Sequence, residues 1–283
     1  MSLGFPVIDG HTAFLAHIGY PTYSFKAPLI YNPYFAHVGI NAVVVPMACE
    51  AAHFAGLLSG ITPLANFSGA LITMPHKVSA MRLVDDVSPV ARVAGACNAI
   101  KRDGDGRLVA DMFDGAGFVL GIKSKGFDPH GKRALVVGAG GVGCAIAASL
   151  ADAGIAALSV CDVNTPAVSG LLQRLQTHYP NVRVDATPPD PSGHDLVVNA
   201  TPMGMQDSDP LPLDIDRLDA NTFVGEVVMS REETRLLRLA KEKGCQVQVG
   251  VDMLFAQIPA YLSFFGFPTT DAHTLRRLAN ITY

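Results

Sequence analysis

The chain has 283 residues, 49% of them hydrophobic and 16% charged, which supplies apolar material for a sizeable core and favours two domains over one. A formal net charge of -4, with Lys and Arg scattered along the chain, argues against nucleic acid and anionic membrane as partners and leaves a small, diffusible substrate, handled by a monomer or homodimer. Five cysteines without metal-ligand or redox spacing predict free thiols and no metal site; a start at Met1 to His11 that carries Asp9 and no leader pattern, with no apolar stretch of roughly 18 residues, predicts a cytoplasmic protein.

Short apolar runs at 13–18, 42–45, 70–73 and 108–113 alternate with helical stretches at 49–58 and 75–84, the pattern of an α/β unit. At the end of the third run stands Ile72-Thr73-Met74-Pro75-His76-Lys77, where Pro75 suits the first position of a helix. Lys77 then falls in the first helical turn, and the positive end of the helix dipole is expected to disfavour its ammonium. A lysine tuned in this way exchanges protons near neutrality, as a hydride transfer between alcohol and carbonyl requires; the plain alternative is a solvated surface lysine. Asn98 opens another apolar run and can donate and accept hydrogen bonds. Asp114 precedes Gly115-Ala116-Gly117 and reads either as a helix N-cap or as a functional carboxylate that keeps a nearby lysine protonated.

A helix over 115–125 leads into the loop 126–132, whose Asp128-Pro129 and glycines mark a boundary between domains. Past it, apolar β-branched runs recur at 134–137, 158–160, 182–184, 196–198, 223–229 and 247–251, which implies a parallel sheet covered on both faces; 253–280 reads as two helices. The first of these strands runs directly into Gly138-Ala139-Gly140-Gly141-Val142-Gly143 and an Ala-rich helix. That context makes the GxGxxG spacing a dinucleotide site: Gly138 for the tight turn, Gly140 for approach of a pyrophosphate, Gly143 for close helix–strand packing. The next strand ends in an acid at about the expected distance of 20 residues, Asp162, suited to the ribose hydroxyls of the adenosine half and repulsive to a 2′-phosphate. Val163 and Asn164 offer no cation. NAD is therefore expected in preference to NADP, with a turn residue as the alternative role for Asp162.

The ordered segments Gly19-Tyr20-Pro21, Thr73-Met74-Pro75-His76-Lys77, Gly95-Ala96-Cys97-Asn98, Asp114-Gly115-Ala116-Gly117, Asn199-Ala200-Thr201-Pro202-Met203-Gly204-Met205 and Gly250-Val251-Asp252-Met253-Leu254-Phe255-Ala256-Gln257 resemble the shikimate and quinate dehydrogenase family over most of the chain. The resemblance implies an α/β protein with a substrate domain at 1–114, a Rossmann doubly wound domain at 115–252, helices at 253–283 returning to the first domain, and an active site in the cleft between domains. It implies Lys77 and Asp114 as the catalytic pair, with Thr73, Asn98 and Gln257 on substrate hydroxyls. It also adds Asn199, Thr201, Met203 and Gly250 to the residues beside the dinucleotide. The chain departs from the family where a pair of serines would meet the substrate carboxylate: the ungapped register gives Phe25, Lys26, Ala27 and Pro28, leaving Tyr23 and Ser24 as the polar candidates. Met229 likewise replaces a tyrosine. The expected activity is reversible oxidation of a ring secondary alcohol; a related polyol or hydroxy acid as substrate, and a dinucleotide sensor without chemistry, are the alternatives.

Overall fold

The structure, a computed structural model, describes residues 7–281, so the stretch 1–6 of the N-terminal reading lies outside the described residues. Among the described residues are twelve strands and nine α-helices. The chain divides into two compact units, the first of residues 7–91, 96–112 and 258–281, the second of 92–95 and 113–257.

In the first unit β1 (Ala13–Gly19), β2 (Ala42–Ala48), β3 (Phe67–Ile72), β4 (Asp86–Val87), β5 (Ala99–Arg102) and β6 (Leu108–Asp111) form one sheet in the order β2-β1-β3-β5-β6-β4. β1 runs parallel to both of its neighbours, whereas β5 is antiparallel to β3 and β6. Central β1 buries Leu15, Ala16 and Ile18, as a strand covered on both faces must. The helices here are α1 (Pro28–Val38), α2 (Phe54–Ile61) and α3 (Pro89–Ala94), the last carrying the chain from one unit to the other. α1 starts on Pro28 and stops at Gly39, whose φ of 71° is the left-handed conformation that glycine adopts without strain. The helix expected over 75–84 is reduced to a single 3₁₀ turn at Ser79–Arg82.

The second unit holds β7 (Arg133–Val137), β8 (Ala157–Cys161), β9 (Arg183–Ala186), β10 (Leu196–Asn199), β11 (Phe223–Glu226) and β12 (Val247–Gln248), all parallel, in the order β9-β8-β7-β10-β11-β12. Strand order reverses between β7 and β10. This is the doubly wound Rossmann arrangement, in which ligands settle outside the C-terminal ends of the strands at the reversal. The remaining helices are α4 (Asp114–Ser124), α5 (Gly141–Asp152), α6 (Thr165–His178), α7 (Arg235–Glu242), α8 (Gly250–Phe264) and α9 (Ala272–Leu278). Leu135, Val197 and Val224 of the sheet form a core with Leu236, Leu237 and Ala240 of α7. The loop 126–132 lies inside this unit, because α4 packs on α5: a Cβ on Gly115 would overlap the Ala145 carbonyl oxygen, so only glycine permits that approach. In the first unit α9 packs on α1, and the Tyr34 hydroxyl donates to the Pro268 carbonyl at 2.7 Å. The five cysteines are buried free thiols. Among the described residues no helix is long and apolar enough to cross a membrane, and no cluster of His, Cys, Asp and Glu is arranged to hold a metal.

Candidate functional site

In the second unit the glycine run follows β7 at the reversal of strand order. Gly138 has φ 110° and donates its N–H to the Cys161 carbonyl at 2.7 Å. A Cβ there would stand 2.8 Å from the Ala200 carbonyl oxygen. Gly143 is tighter still, since its Cβ would overlap the Gly138 carbonyl oxygen. Gly140 is the opposite case: a Cβ would meet nothing within 4 Å. The open face of Gly140, at the N-cap of the 12-residue helix α5, with Ala139, Gly141 and Val142 beside it, fits the pyrophosphate of a dinucleotide, which the N–H groups of the first turn would receive. Asp162 accepts from the N–H of Ala139 at 2.6 Å through one oxygen and from the N–H of Asn164 at 2.8 Å through the other. It ties the glycine loop to the turn after β8.

The loop after β10 walls the same crevice and is built on Asn199, which is fully buried. The Asn199 amide donates to the Met203 carbonyl at 2.9 Å, while its oxygen accepts from the Thr201 hydroxyl at 2.6 Å and the Thr201 N–H at 3.1 Å. The Thr201 oxygen in turn accepts from the Met203 N–H at 3.1 Å. Asn199, Thr201 and Met203 are therefore brought together as one loop. Glu226, at the end of β11, is 1% exposed and accepts from the Thr234 hydroxyl at 2.8 Å. Burial raises its carboxyl to about 7, against hydrogen bonds from Thr234 and Asn199 that lower it. Sequence reasoning missed this residue, because a Glu closing an apolar strand has no spacing signature. Gly250 packs on the chain at Val228, where a side chain would overlap the carbonyl oxygen.

Asp114 is buried in the first position of α4, and Phe113 occupies the cap position without a side-chain cap bond. The N-cap reading of Asp114 is thus replaced by a buried carboxylate at the positive end of a helix. One turn on, Gly117 faces Gln257 of α8, whose Cβ would lie 2.7 Å from a Cβ on that glycine. Gln257 is buried, and its Oε1 has no hydrogen-bond partner among the described residues.

In the first unit, Thr73 to Val78 forms turns after β3, and Lys77 is not in a helix. Tertiary hydrogen bonds decide this. The Lys77 carbonyl accepts from the Cys97 N–H at 2.9 Å, and buried His76 reaches the Cys49 carbonyl at 2.8 Å with its ring stacked on Phe54 at 4.1 Å. A helix would need that carbonyl for its own ladder. Lys77 therefore does not sit at the positive end of a helix dipole, contrary to the expectation from Pro75. Asn98 is buried beside β3, its carbonyl accepting from the Ile72 N–H at 2.8 Å and its N–H donating to Asp111 at 2.9 Å. Tyr23 is 87% exposed and Ser24 half-buried, whereas Phe25 stacks on His17 with ring centres 4.0 Å apart. Thr73 and Phe25 both crowd Gly19 at the end of β1.

His17 was invisible in sequence, where it sits inside an apolar run. It is 9% exposed, and its Nδ1 has no hydrogen-bond partner among the described residues. Burial, with the Lys77 ammonium acting in the same direction, pushes its imidazole down to about 3. The unfolded chain therefore binds a proton at His17 first as pH falls. Stability from the neutral ring is complete above the ordinary histidine value and is lost as pH drops from about 6.5 towards about 3. Urea unfolding across that window should show His17→Leu losing about 4 to 5 kcal/mol less than the parent chain; parallel curves for the two proteins would refute the assignment.

The profile described as "Shikimate dehydrogenase substrate binding domain" matches residues 18–100. The shikimate dehydrogenase (NADP(+)) of Rubrobacter xylanophilus is 34% identical over 256 residues, covering 89% of this chain and 90% of the relative. The chain belongs to the shikimate dehydrogenase family. Two solved structures carry the similarity into three dimensions. Shikimate 5-dehydrogenase from Listeria monocytogenes, in complex with shikimate and NAD, has a TM-score of 0.86 at 25% identity, covering 96% of this chain and 97% of that one. The 5-ketofructose reductase of Gluconobacter sp. has a TM-score of 0.83 at 25% identity over 95% and 98%. This family member is thus an oxidoreductase of the shikimate dehydrogenase type, acting on CH–OH groups of a small molecule.

The expected preference for NAD over NADP is corrected. Curated relatives of this chain are NADP(+) enzymes by name. Both Asp162 carboxylate oxygens accept backbone N–H groups of the nucleotide loop and its neighbouring turn, a structural role that an acid at this position fills independently of the ribose.

Proposed function

We propose that this chain catalyses the reversible oxidation of a ring secondary alcohol of the shikimate or quinate type to the corresponding ketone. The observation that carries the reading is Lys77, held by its backbone carbonyl in the turn that follows β3, where Thr73 at the start of that turn packs against Gly19 at the end of β1. Lys77 and Asp114 are the catalytic residues of this reading, with Lys77 exchanging the hydroxyl proton of the substrate. Thr73, Asn98 and Gln257 hold substrate hydroxyls; Gln257 brings a buried oxygen with hydrogen-bonding capacity to spare. Gly138 to Gly143, Asn199, Thr201, Met203 and Gly250 receive a nicotinamide dinucleotide, which when bound supplies the hydride acceptor. In this reading residues 1–114 serve as substrate domain, 115–252 as dinucleotide domain and 253–283 as the returning helices. The protein works in the cytoplasm as a monomer or homodimer without nucleic acid.

One observation favours a second reading for the substrate. Where a carboxylate would need hydroxyl donors, Phe25 lies on a neutral imidazole and Ala27 is buried. An uncharged polyol or ketose suits such a wall better than a carboxylate does. A relative at similar structural distance, the Gluconobacter enzyme, is named for 5-ketofructose.

The deciding experiment follows dinucleotide absorbance with NAD and NADP separately, offering shikimate, quinate, a cyclitol and, in the reducing direction, 5-ketofructose. Turnover of a cyclic carboxylate supports the first reading, and turnover restricted to uncharged compounds the second. Dinucleotide binding without turnover of any of them would leave a sensor.

A further inference from the structure

Glu226 is a buried acid that the chemistry above does not use. It stands at the end of β11, between the loop after β10 and the start of α7. Its carboxylate accepts from Thr234, the N-cap of α7, which itself accepts from the Leu237 N–H at 3.4 Å. Its other neighbour is the Asn199 side chain, the centre of the loop that presses on Gly138. The segment between Glu226 and Thr234 holds the same loop again further on. Arg231 donates to the Met205 carbonyl at 3.1 Å and pairs with Asp207, and the Ser230 hydroxyl donates to the Met205 carbonyl at 3.2 Å. Gly204 packs on Thr234. The charged groups acting on Glu226 are Glu233, which opposes its ionisation, and Arg231, which favours it; Glu233 is paired with Lys241 and Arg231 with Asp207.

We propose that Glu226 is a positioning residue for the loop 199–209: as a carboxylate it grips Asn199 and Thr234 and sets the wall of the dinucleotide crevice, and as a carboxylic acid it releases them. A hydrogen bond to an ionised acceptor is about twice as strong as one to a neutral acceptor, so the grip changes with one proton. The midpoint of the change lies near 7, where burial has raised the group. The inference rests on the loop being the dinucleotide's wall, as in the function proposed above.

Two measurements separate the two ideas. Hydrogen exchange of the amides in 199–209, on the protein without dinucleotide and corrected for intrinsic pH dependence, is compared one pH unit below and one above the Glu226 midpoint. Protection should rise roughly fivefold with pH in the parent chain and not at all in Glu226→Gln, with Glu226→Asp retaining a pH response. Calorimetric titration with NAD, whose charge is constant across this window, should then show affinity tightening by a similar factor in the parent chain. In Glu226→Gln the affinity should stay at the weaker value. Loop protection that ignores pH, or a Gln variant that keeps the parent's response, overturns the proposal; if the Gln variant does not fold, the exchange data on the parent chain decide alone. A loop whose protection follows pH but which binds neither NAD nor NADP at either pH would overturn the function of the crevice and the coupling to it, and leave the pH-dependent grip of Glu226 on the loop.

Discussion

Lys77→Ala is expected to lower kcat by about 10²- to 10⁴-fold, the usual contribution of a positioned general acid–base group. The Michaelis constant for dinucleotide and the melting curve should stay near the parent's. The structure makes the variant a clean test. The turn is held by the Lys77 carbonyl and the Cys97 N–H, and by His76 on the Cys49 carbonyl, none of which involves the lysine side chain. Lys77→Arg should be nearly as inactive, because a guanidinium keeps the charge and cannot release a proton in the working range. A further consequence is independent of turnover. The Lys77 ammonium helps to depress His17, so removing it should let the imidazole titrate closer to its ordinary range, visible in the ring resonances of His17. Activity within twofold of the parent in both variants would sink the assigned role.

The second large effect belongs to Gly143→Ala, expected to destabilise the second unit by about 3 kcal/mol and to abolish dinucleotide binding. The new methyl would overlap the Gly138 carbonyl oxygen, a backbone atom that cannot swing aside as a side chain would. Gly138 is itself held by its bond to Cys161 and by the Ala200 carbonyl in front of it. Relief would require α5 to slide on β7, which pulls the N-terminus of α5 away from the site. Gly140→Ala provides the contrast. Its methyl meets no protein atom within 4 Å, so chemical denaturation should give the parent's stability while calorimetry shows weakened dinucleotide binding. If the two variants behave alike, the reading of one glycine as packing and the other as ligand approach fails.

Much of this protein is legible in its sequence because the controlling interactions are local. A strand of β-branched residues, three spaced glycines and an Ala-rich helix dictate β7, the turn and α5 through sterics alone. The alternation of apolar runs yields two α/β units, and the six ordered motifs indicate the family. Other features were decided by partners distant in the chain. Lys77 leaves the expected helix because Cys97 takes its carbonyl. Asp162 has a role in the loop itself, which spacing alone does not show: the N–H groups of Ala139 and Asn164 donate to its two oxygens. His17 reads as one more member of a buried strand until Phe25 and Lys77 are brought against it. Glu226 becomes an acid poised near neutrality only once β11, the loop after β10 and α7 close around it. The sequence by itself determined the two α/β units, the glycine turn between β7 and α5 and the family, since periodicity and glycine sterics act within a few residues. Only the tertiary structure decided what each polar side chain does, since burial and hydrogen-bond partners are properties of the folded surroundings.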